Sequence, residues 1–191
     1  MGKGIDYYVQ KSHIQNLNGI NNINTLAHAS AIAVQKAEQD NKNCELTQKL
    51  NQRYSTDVEN IKSDRVLRSR IDKRLRIVQN SFDKFVEYNK SGKVNDAYEE
   101  ICYMQIVADS IMFETDELIT QDVFDQNDTR VNFYREIYDS DDISEFINIL
   151  KSEYLGIDWQ DFDNVSLYYH LNNMGCLINA GFFIYSKNAG Y

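Results

Sequence analysis

The sequence predicts a mainly α-helical protein, built as a bundle of about five to seven helices. Proline, the residue that most firmly ends a helix, does not occur in the chain of 191 residues. Apolar residues make up 42% of the chain, enough for a sizeable core, and over most of its length they recur at helical spacing. Both observations favour long helices, so we expect residues 1–191 to form a single helical domain.

The first helices are predicted from the apolar positions between residues 20 and 85. One helical face is formed by Ile20, Ile23, Ala27, Ala31 and Val34. Helical spacing continues over residues 46–85, and within it residues 56–59 have the Thr-x-x-Glu form of a capping box, which marks the start of a helix. We therefore expect two helices there, with a joint near Ser55.

A turn is predicted at residues 89–93, where Gly92 can take the left-handed conformation that closes a helix. Apolar positions then predict a helix over residues 95–120. They predict another over residues 143–154, which ends before Gly156.

The C-terminal third gives a mixed pattern. Residues 163–173 favour a helix, because apolar and polar side chains alternate there at helical spacing. The aromatic run GFFIYS, residues 181–186, favours a short strand instead. Its predicted pairing partner is IDYYV, residues 5–9, near the N-terminus.

Charge is unevenly distributed along the chain. Residues 1–90 carry 15 Lys and Arg against 10 Asp and Glu, a net charge of +5. Residues 91–191 carry 5 against 19, a net charge of -14, so that the whole chain has a net charge of -9. Because the change falls at residues 91–93, a sub-boundary there between a basic and an acidic half is the alternative to one uniform domain.

Cysteine usage and hydropathy predict a cytoplasmic protein with no membrane partner. The three cysteines are odd in number and far apart in the sequence, which argues against a disulfide framework. The most apolar stretch, residues 174–185, has 12 residues, whereas a membrane helix needs about 20. The first residues lack the apolar run of a signal peptide.

The acidic half predicts a protein that acts by binding rather than by catalysis. The chain has 13 tyrosines, which supply the large, partly polar contact area that interfaces use. An inhibitor, an immunity protein or a regulatory adaptor without a cofactor fits best, and its partner is a macromolecule, most simply a protein with a basic surface. We expect this partner to contact Asp141, Asp142 and Glu145. Association into homo-oligomers stays open.

A basic run at residues 62–76, KSDRVLRSRIDKRLR, supports an alternative function. On a helix, Leu67, Ile71 and Leu75 occupy the buried face and the arginines flank it. The simplest interpretation is that the arginines pair with the acidic half. The alternative is a nucleic-acid-binding protein that holds phosphates with Arg68, Arg70, Arg74 and Arg76.

Two acidic motifs support an enzymatic alternative. ETDE, residues 114–117, is followed after 18 residues by EIYD, residues 136–139. This spacing resembles the ExxE and ExxD pair of the all-α nucleotide pyrophosphohydrolases, the MazG-like and dimeric dUTPase families. The resemblance implies a Mg²⁺ ion that activates water against a nucleoside triphosphate. Its ligands would be Glu114, Glu117, Glu136 and Asp139. Solvated surface carboxylates are the simpler interpretation.

Overall fold

The computed structural model describes residues 23–115, 118 and 142–191. Over those ranges the chain forms five α-helices and no β-strand. They are α1 (Ile23–Lys62), α2 (Leu67–Lys90), α3 (Val94–Thr115), α4 (Ile143–Ile149) and α5 (Asn164–Ala189). α4 continues into a π-helical turn over Leu150–Tyr154. The predicted mainly α-helical bundle is confirmed.

The chain divides into two compact units, Met1–Gln48 and Lys49–Tyr191, and the boundary falls within α1. In the first unit, the described side chains are Val34 and residues 36–48, and all of them are exposed except the half-buried Leu46. The second unit contains all the buried apolar residues of the described part, from Leu50 onward. No helix in the described ranges has a stretch long and apolar enough to cross a membrane.

The joint between the first two helices lies at residues 63–66, so the predicted joint near Ser55 is wrong. α1 continues through Ser55 without a break. The hydroxyl of Thr56 donates to the carbonyl oxygen of Gln52 at 3.0 Å, one turn earlier in the same helix. A threonine that bonds backwards in this way lies inside a helix and does not cap a new one.

Asp64 is the residue that organises the joint. Its carboxylate accepts from the ammonium of Lys73 at 2.7 Å, the hydroxyl of Ser69 at 2.5 Å and the amide of Val66 at 3.0 Å. The Lys73 ammonium, followed by the other two donors, holds the pKa of Asp64 well below its ordinary value. Protonation of this carboxylate therefore requires a more acidic solution than protonation of an ordinary aspartate.

The predicted turn at Gly92 is confirmed, with a φ of +68°. The Gly92 amide donates to the carbonyl oxygen of Asn89 at 3.2 Å, and the Lys93 amide donates to that of Tyr88 at 2.9 Å. These are the two hydrogen bonds of a Schellman motif. Glycine adopts this left-handed conformation without strain, and the tight turn makes α2 and α3 neighbours.

Residues 181–186 are helical, so the predicted strand is wrong. They lie within α5, whose first turn is capped by Asp163, with its carboxylate accepting from the Ser166 amide at 2.7 Å. Gly181, Ile184 and Tyr185 are buried at helical spacing, and this packing decides the conformation of the aromatic run. The proposed partner strand, residues 5–9, lies outside the described residues.

The helices predicted at residues 95–120, 143–154 and 163–173 are confirmed over the described ranges, the last of them as the start of α5. α3 begins one residue before the predicted position, and the last residues of the predicted 95–120 helix lie beyond the part that the structure describes, apart from 118. α4 and its π-helical turn cover the predicted 143–154, and Gly156 follows with a φ of +80°.

The core of the second unit is built around α3, which packs against α2 on one side and α5 on the other. Phe85 of α2 joins three helices, because its ring lies 6.2 Å from that of Phe146 in α4 and 5.2 Å from that of Tyr185 in α5. Two glycines bring α5 close to its neighbours: Gly175 faces Met112 and Gly181 faces Phe146. A side chain at either glycine would meet those atoms.

A partly buried polar cluster ties α1 to α2 and α3. The guanidinium of Arg53 donates two hydrogen bonds of 3.0 Å to the carboxylate of Glu100 and one of 3.2 Å to the hydroxyl of Ser81. It also lies 3.8 Å above the ring of Tyr103, whose hydroxyl donates to Asp57 at 2.5 Å. These groups satisfy one another, so we interpret the cluster as structural.

Candidate partner-binding groove

A groove of about 240 Å³ lies between α2 and the segment that connects α4 to α5. The α2 wall consists of Asp72, Leu75, Arg76 and Gln79. The opposite wall consists of Tyr154, Leu155, Gly156, Ile157 and Trp159. All charged and amide groups of the lining therefore belong to α2, and the connecting segment supplies only apolar and aromatic ones.

The wall formed by the connecting segment is fixed by burial and by one backbone hydrogen bond. The Leu155 amide donates to the carbonyl oxygen of Leu150 at 3.0 Å, which closes the π-helical turn. Leu150 and Leu155 are buried, and Trp159 is only 6% exposed. Such π-helical turns are rare and often lie at functional sites.

Arg68 anchors the far end of the same segment to the start of α2. Its guanidinium donates to the carbonyl oxygen of Phe162 at 2.7 Å, to that of Gln160 at 3.4 Å and to Oδ1 of Asn164 at 3.0 Å. These hydrogen bonds hold the chain after Trp159 against α2. Arg68 thus contributes to the groove as a positioning residue.

Negative charge is concentrated in residues 142–163, which we term the acidic segment. It contains six carboxylates and a single base, Lys151, all exposed. The carboxylates are Asp142, Glu145, Glu153, Asp158, Asp161 and Asp163. Glu153 and Asp158 are sequence neighbours of groove-lining residues. The backbone amide and the hydroxyl of Ser166 lower the pKa of Asp163 from its ordinary value.

The predicted partner-binding residues lie at the start of the acidic segment and do not line the groove. Asp142 and Glu145 are exposed, and the Asp142 carboxylate caps α4 by accepting from the Ser144 amide at 2.8 Å. Asp141 lies outside the described residues. Whether the three contact a partner stays a prediction.

Sequence analysis missed the groove, although a signal was present. Between residues 153 and 163 the aromatic side chains Tyr154, Trp159 and Phe162 alternate with four carboxylates. Aromatic residues beside charges in a short loop are typical of binding surfaces.

The four arginines predicted to hold phosphates all bind groups of their own chain. Arg68 binds the segment after Trp159, as described above. Arg70 donates to the Asp64 carbonyl oxygen at 3.0 Å and pairs with Glu114, which also pairs with Arg74. Arg76 pairs with Asp72 at 2.8 Å. Of these four, only Arg76 has a largely exposed side chain, so the predicted set offers few groups to a nucleic-acid phosphate.

Glu114 is the only predicted magnesium ligand among the described residues. Its Oε2 accepts from Nη1 of Arg74 at 2.9 Å and lies 3.4 Å from Nε of Arg70. Two cations on one carboxylate oppose the binding of a metal ion by that carboxylate. Residues 117, 136 and 139 lie outside the described part, where this prediction stays untested. Within the described part, no group of three or more His, Cys, Asp or Glu side chains could hold a metal.

The size of the groove limits what it can bind. Pockets for small organic ligands usually measure about 300–1,000 Å³, so 240 Å³ suits one large side chain better than a nucleotide. No protein-family model, curated protein or solved structure matches this chain at a significant level.

Proposed function

We propose that this chain is a non-enzymatic binding protein that holds a basic segment of another protein in the groove and against the acidic segment. An inhibitor, an immunity protein or a regulatory adaptor would act in this way, by covering a basic surface of its partner. The single observation that carries the proposal is that a groove the size of one side chain adjoins the most acidic exposed stretch described.

The groove would supply the affinity. Most of the binding energy at protein interfaces comes from a few large side chains that fill preformed pockets and lose their water. Leu75, Leu155 and Ile157 provide an apolar surface for such an anchor, and Tyr154 and Trp159 provide aromatic ones. Because Leu155 and Trp159 are buried, they hold the wall of the groove in place before a partner arrives.

The acidic segment would supply partner selection and speed of association. Carboxylates clustered on one face attract a positive partner over a distance of about one Debye length and repel an acidic one. The same field repels nucleic acid, which is one reason for favouring a basic protein over a phosphate backbone. The three free thiols, Cys44, Cys102 and Cys176, suit a reducing compartment such as the cytoplasm.

The test uses a defined probe, the acetylated and amidated peptide Lys-Lys-Leu-Lys-Lys, and the emission of Trp159, the one tryptophan of the chain. We expect this peptide to change the emission at low salt and an analogue with Glu in place of Lys to have no effect. The double variant Glu153→Lys, Asp161→Lys should weaken binding about tenfold, because two exposed charges of the acidic segment are reversed.

The matched control is Glu38→Lys with Glu45→Lys, which changes the net charge equally in the first unit, where both glutamates are exposed. It should alter the affinity less than about twofold. An equal loss in both double variants would mean that only the overall charge matters and would refute a site at the groove. If duplex DNA changed the emission of Trp159 and neither peptide did, the nucleic-acid alternative would be favoured.

Asp142 and Glu145, which were predicted from the sequence to contact the partner, need a substitution other than lysine. Asp142→Lys would remove the cap of α4 and could weaken binding by unfolding alone. Asp142→Asn keeps a good capping group and removes the charge, so it should be paired with Glu145→Gln. Reduced peptide affinity in this pair would extend the binding surface to the start of α4.

A further inference from the structure

We infer that the partner side chain held in the groove is an arginine, which replaces Arg76 on the carboxylate of Asp72. Arg76 would then act as an internal competitor that sets the selectivity of the groove. This inference rests on the proposed function and specifies the chemistry of the partner.

Asp72 and Arg76 differ in how firmly they are held. Oδ2 of Asp72 lies 2.8 Å from Nη2 of Arg76, one turn later on α2. The Asp72 side chain is 31% exposed, whereas that of Arg76 is 76% exposed. The carboxylate is thus a partly enclosed acceptor in the groove, and its present partner is a long side chain that reaches it from solvent.

The pair is weak enough to be exchanged. Exposed ion pairs between residues four apart on a helix favour the paired state by only about a factor of two. A guanidinium from a bound partner would find the same carboxylate together with apolar walls for its methylene groups. The bound guanidinium would exclude water from the groove. Its attraction to Asp72 would then be stronger than the attraction between Asp72 and the solvated Arg76.

The opposite wall favours arginine over lysine. Tyr154 and Trp159 line the same groove as Asp72, and Tyr154 is the more exposed of the two rings. A guanidinium is planar, stacks on aromatic rings and forms two parallel hydrogen bonds with a carboxylate, whereas an ammonium is compact and strongly hydrated. A groove with a carboxylate on one side and aromatic rings on the other therefore selects an arginine.

The experiment compares two peptides of equal length and charge, Arg-Arg-Leu-Arg-Arg and Lys-Lys-Leu-Lys-Lys, by the emission of Trp159. In the unmodified protein we expect tighter binding of the arginine peptide. Asp72→Asn should lower its affinity about tenfold and abolish the preference for arginine. Arg76→Ala should raise the affinity about threefold, because it removes both the competitor and its repulsion of the incoming cation.

The control for Arg76→Ala is Arg65→Ala, which removes the same charge from an exposed position in the joint before α2. If Arg76→Ala and Arg65→Ala raise the affinity for the arginine peptide equally, the increase is a general charge effect and the inference fails. If both peptides bind alike and Asp72→Asn has no effect, the inference fails while the proposed function stands. If neither peptide changes the emission of Trp159, the proposed function fails as well.

Discussion

Glu114→Gln is expected to lower the free energy of unfolding by about 3 kcal/mol, whereas Glu99→Gln should lower it by less than about 1 kcal/mol. Both carboxylates lie on α3 with similar side-chain exposure, 19% and 22%. They differ in their partners: Glu114 pairs with Arg74, which is 3% exposed, and Glu99 pairs with Lys49, which is 64% exposed. Loss of Glu114 leaves a buried guanidinium without its counter-charge.

The burial of Arg74 makes this loss costly. Its Nε already lacks a hydrogen-bond partner within the described part of the chain, so the bond from Nη1 to Glu114 provides much of its compensation. An uncompensated buried charge is among the few defects that destabilise a protein by several kcal/mol. The exposed ammonium of Lys49, in contrast, can return to water.

Urea denaturation followed by circular dichroism measures both variants, and it also tests the enzymatic alternative. We expect the cost of Glu114→Gln to be the same with and without Mg²⁺. If Mg²⁺ stabilised the unmodified protein and not the variant, Glu114 would act as a metal ligand, and nucleotide hydrolysis would need to be assayed. If Glu114→Gln and Glu99→Gln lowered the free energy of unfolding equally, the pairing of Glu114 with the buried Arg74 would be contradicted.

Gly181→Ala is expected to destabilise the protein by about 2–3 kcal/mol, and Gly175→Ala by about 1 kcal/mol or less. A methyl group at either position would overlap a neighbouring side chain. At Gly181 that neighbour is the ring of Phe146, which is fully buried and packed edge-on against Phe85. The ring cannot move away without disturbing two other helices.

Met112, the neighbour of Gly175, can adapt because its side chain is half-buried, unbranched and flexible. Replacement of a helical glycine by alanine also stabilises the helix by about 1 kcal/mol, which offsets part of the cost at both positions. Thermal unfolding of the two variants is the measurement. A Gly181→Ala variant as stable as the Gly175→Ala variant would show that α4 does not pack on α5 at Phe146.

The helices were predictable because their signals are local. Apolar spacing located α3 and α4, and Gly92 located the turn that precedes α3. The joint after α1 was missed because it depends on the ammonium of Lys73 reaching Asp64, and a capping-box pattern contains no information about such a contact. The aromatic run at 181–186 was misassigned for a similar reason, since Gly181 packs against a residue 35 positions earlier in the chain.

The aromatic and acidic residues at 153–163 indicated one wall of the groove, but the pairing of that wall with α2 was beyond prediction because the two walls are far apart in the sequence. Asp72 and Arg76 lie on α2, and Trp159 lies more than eighty residues later. The predicted partner-binding residues were placed at the start of α4 because adjacent carboxylates can be recognised in the sequence. A groove between two distant segments cannot be recognised in this way. The positions of Arg68 and Arg74 in the basic run are explained by their acceptors, which lie in the segment after Trp159 and on α3.

The three-residue turn at Gly92 also has a kinetic consequence. Closing so short a connection costs little chain entropy, so α2 and α3 can associate early in folding. α5 must return to α3 across residues 116–163, and we expect it to dock later. Pulsed hydrogen exchange would then show protection of α2 and α3 before α5. Since the Trp159 wall adjoins α5, a nascent chain would acquire its groove only in the last step, and a partner would capture only chains that have finished folding.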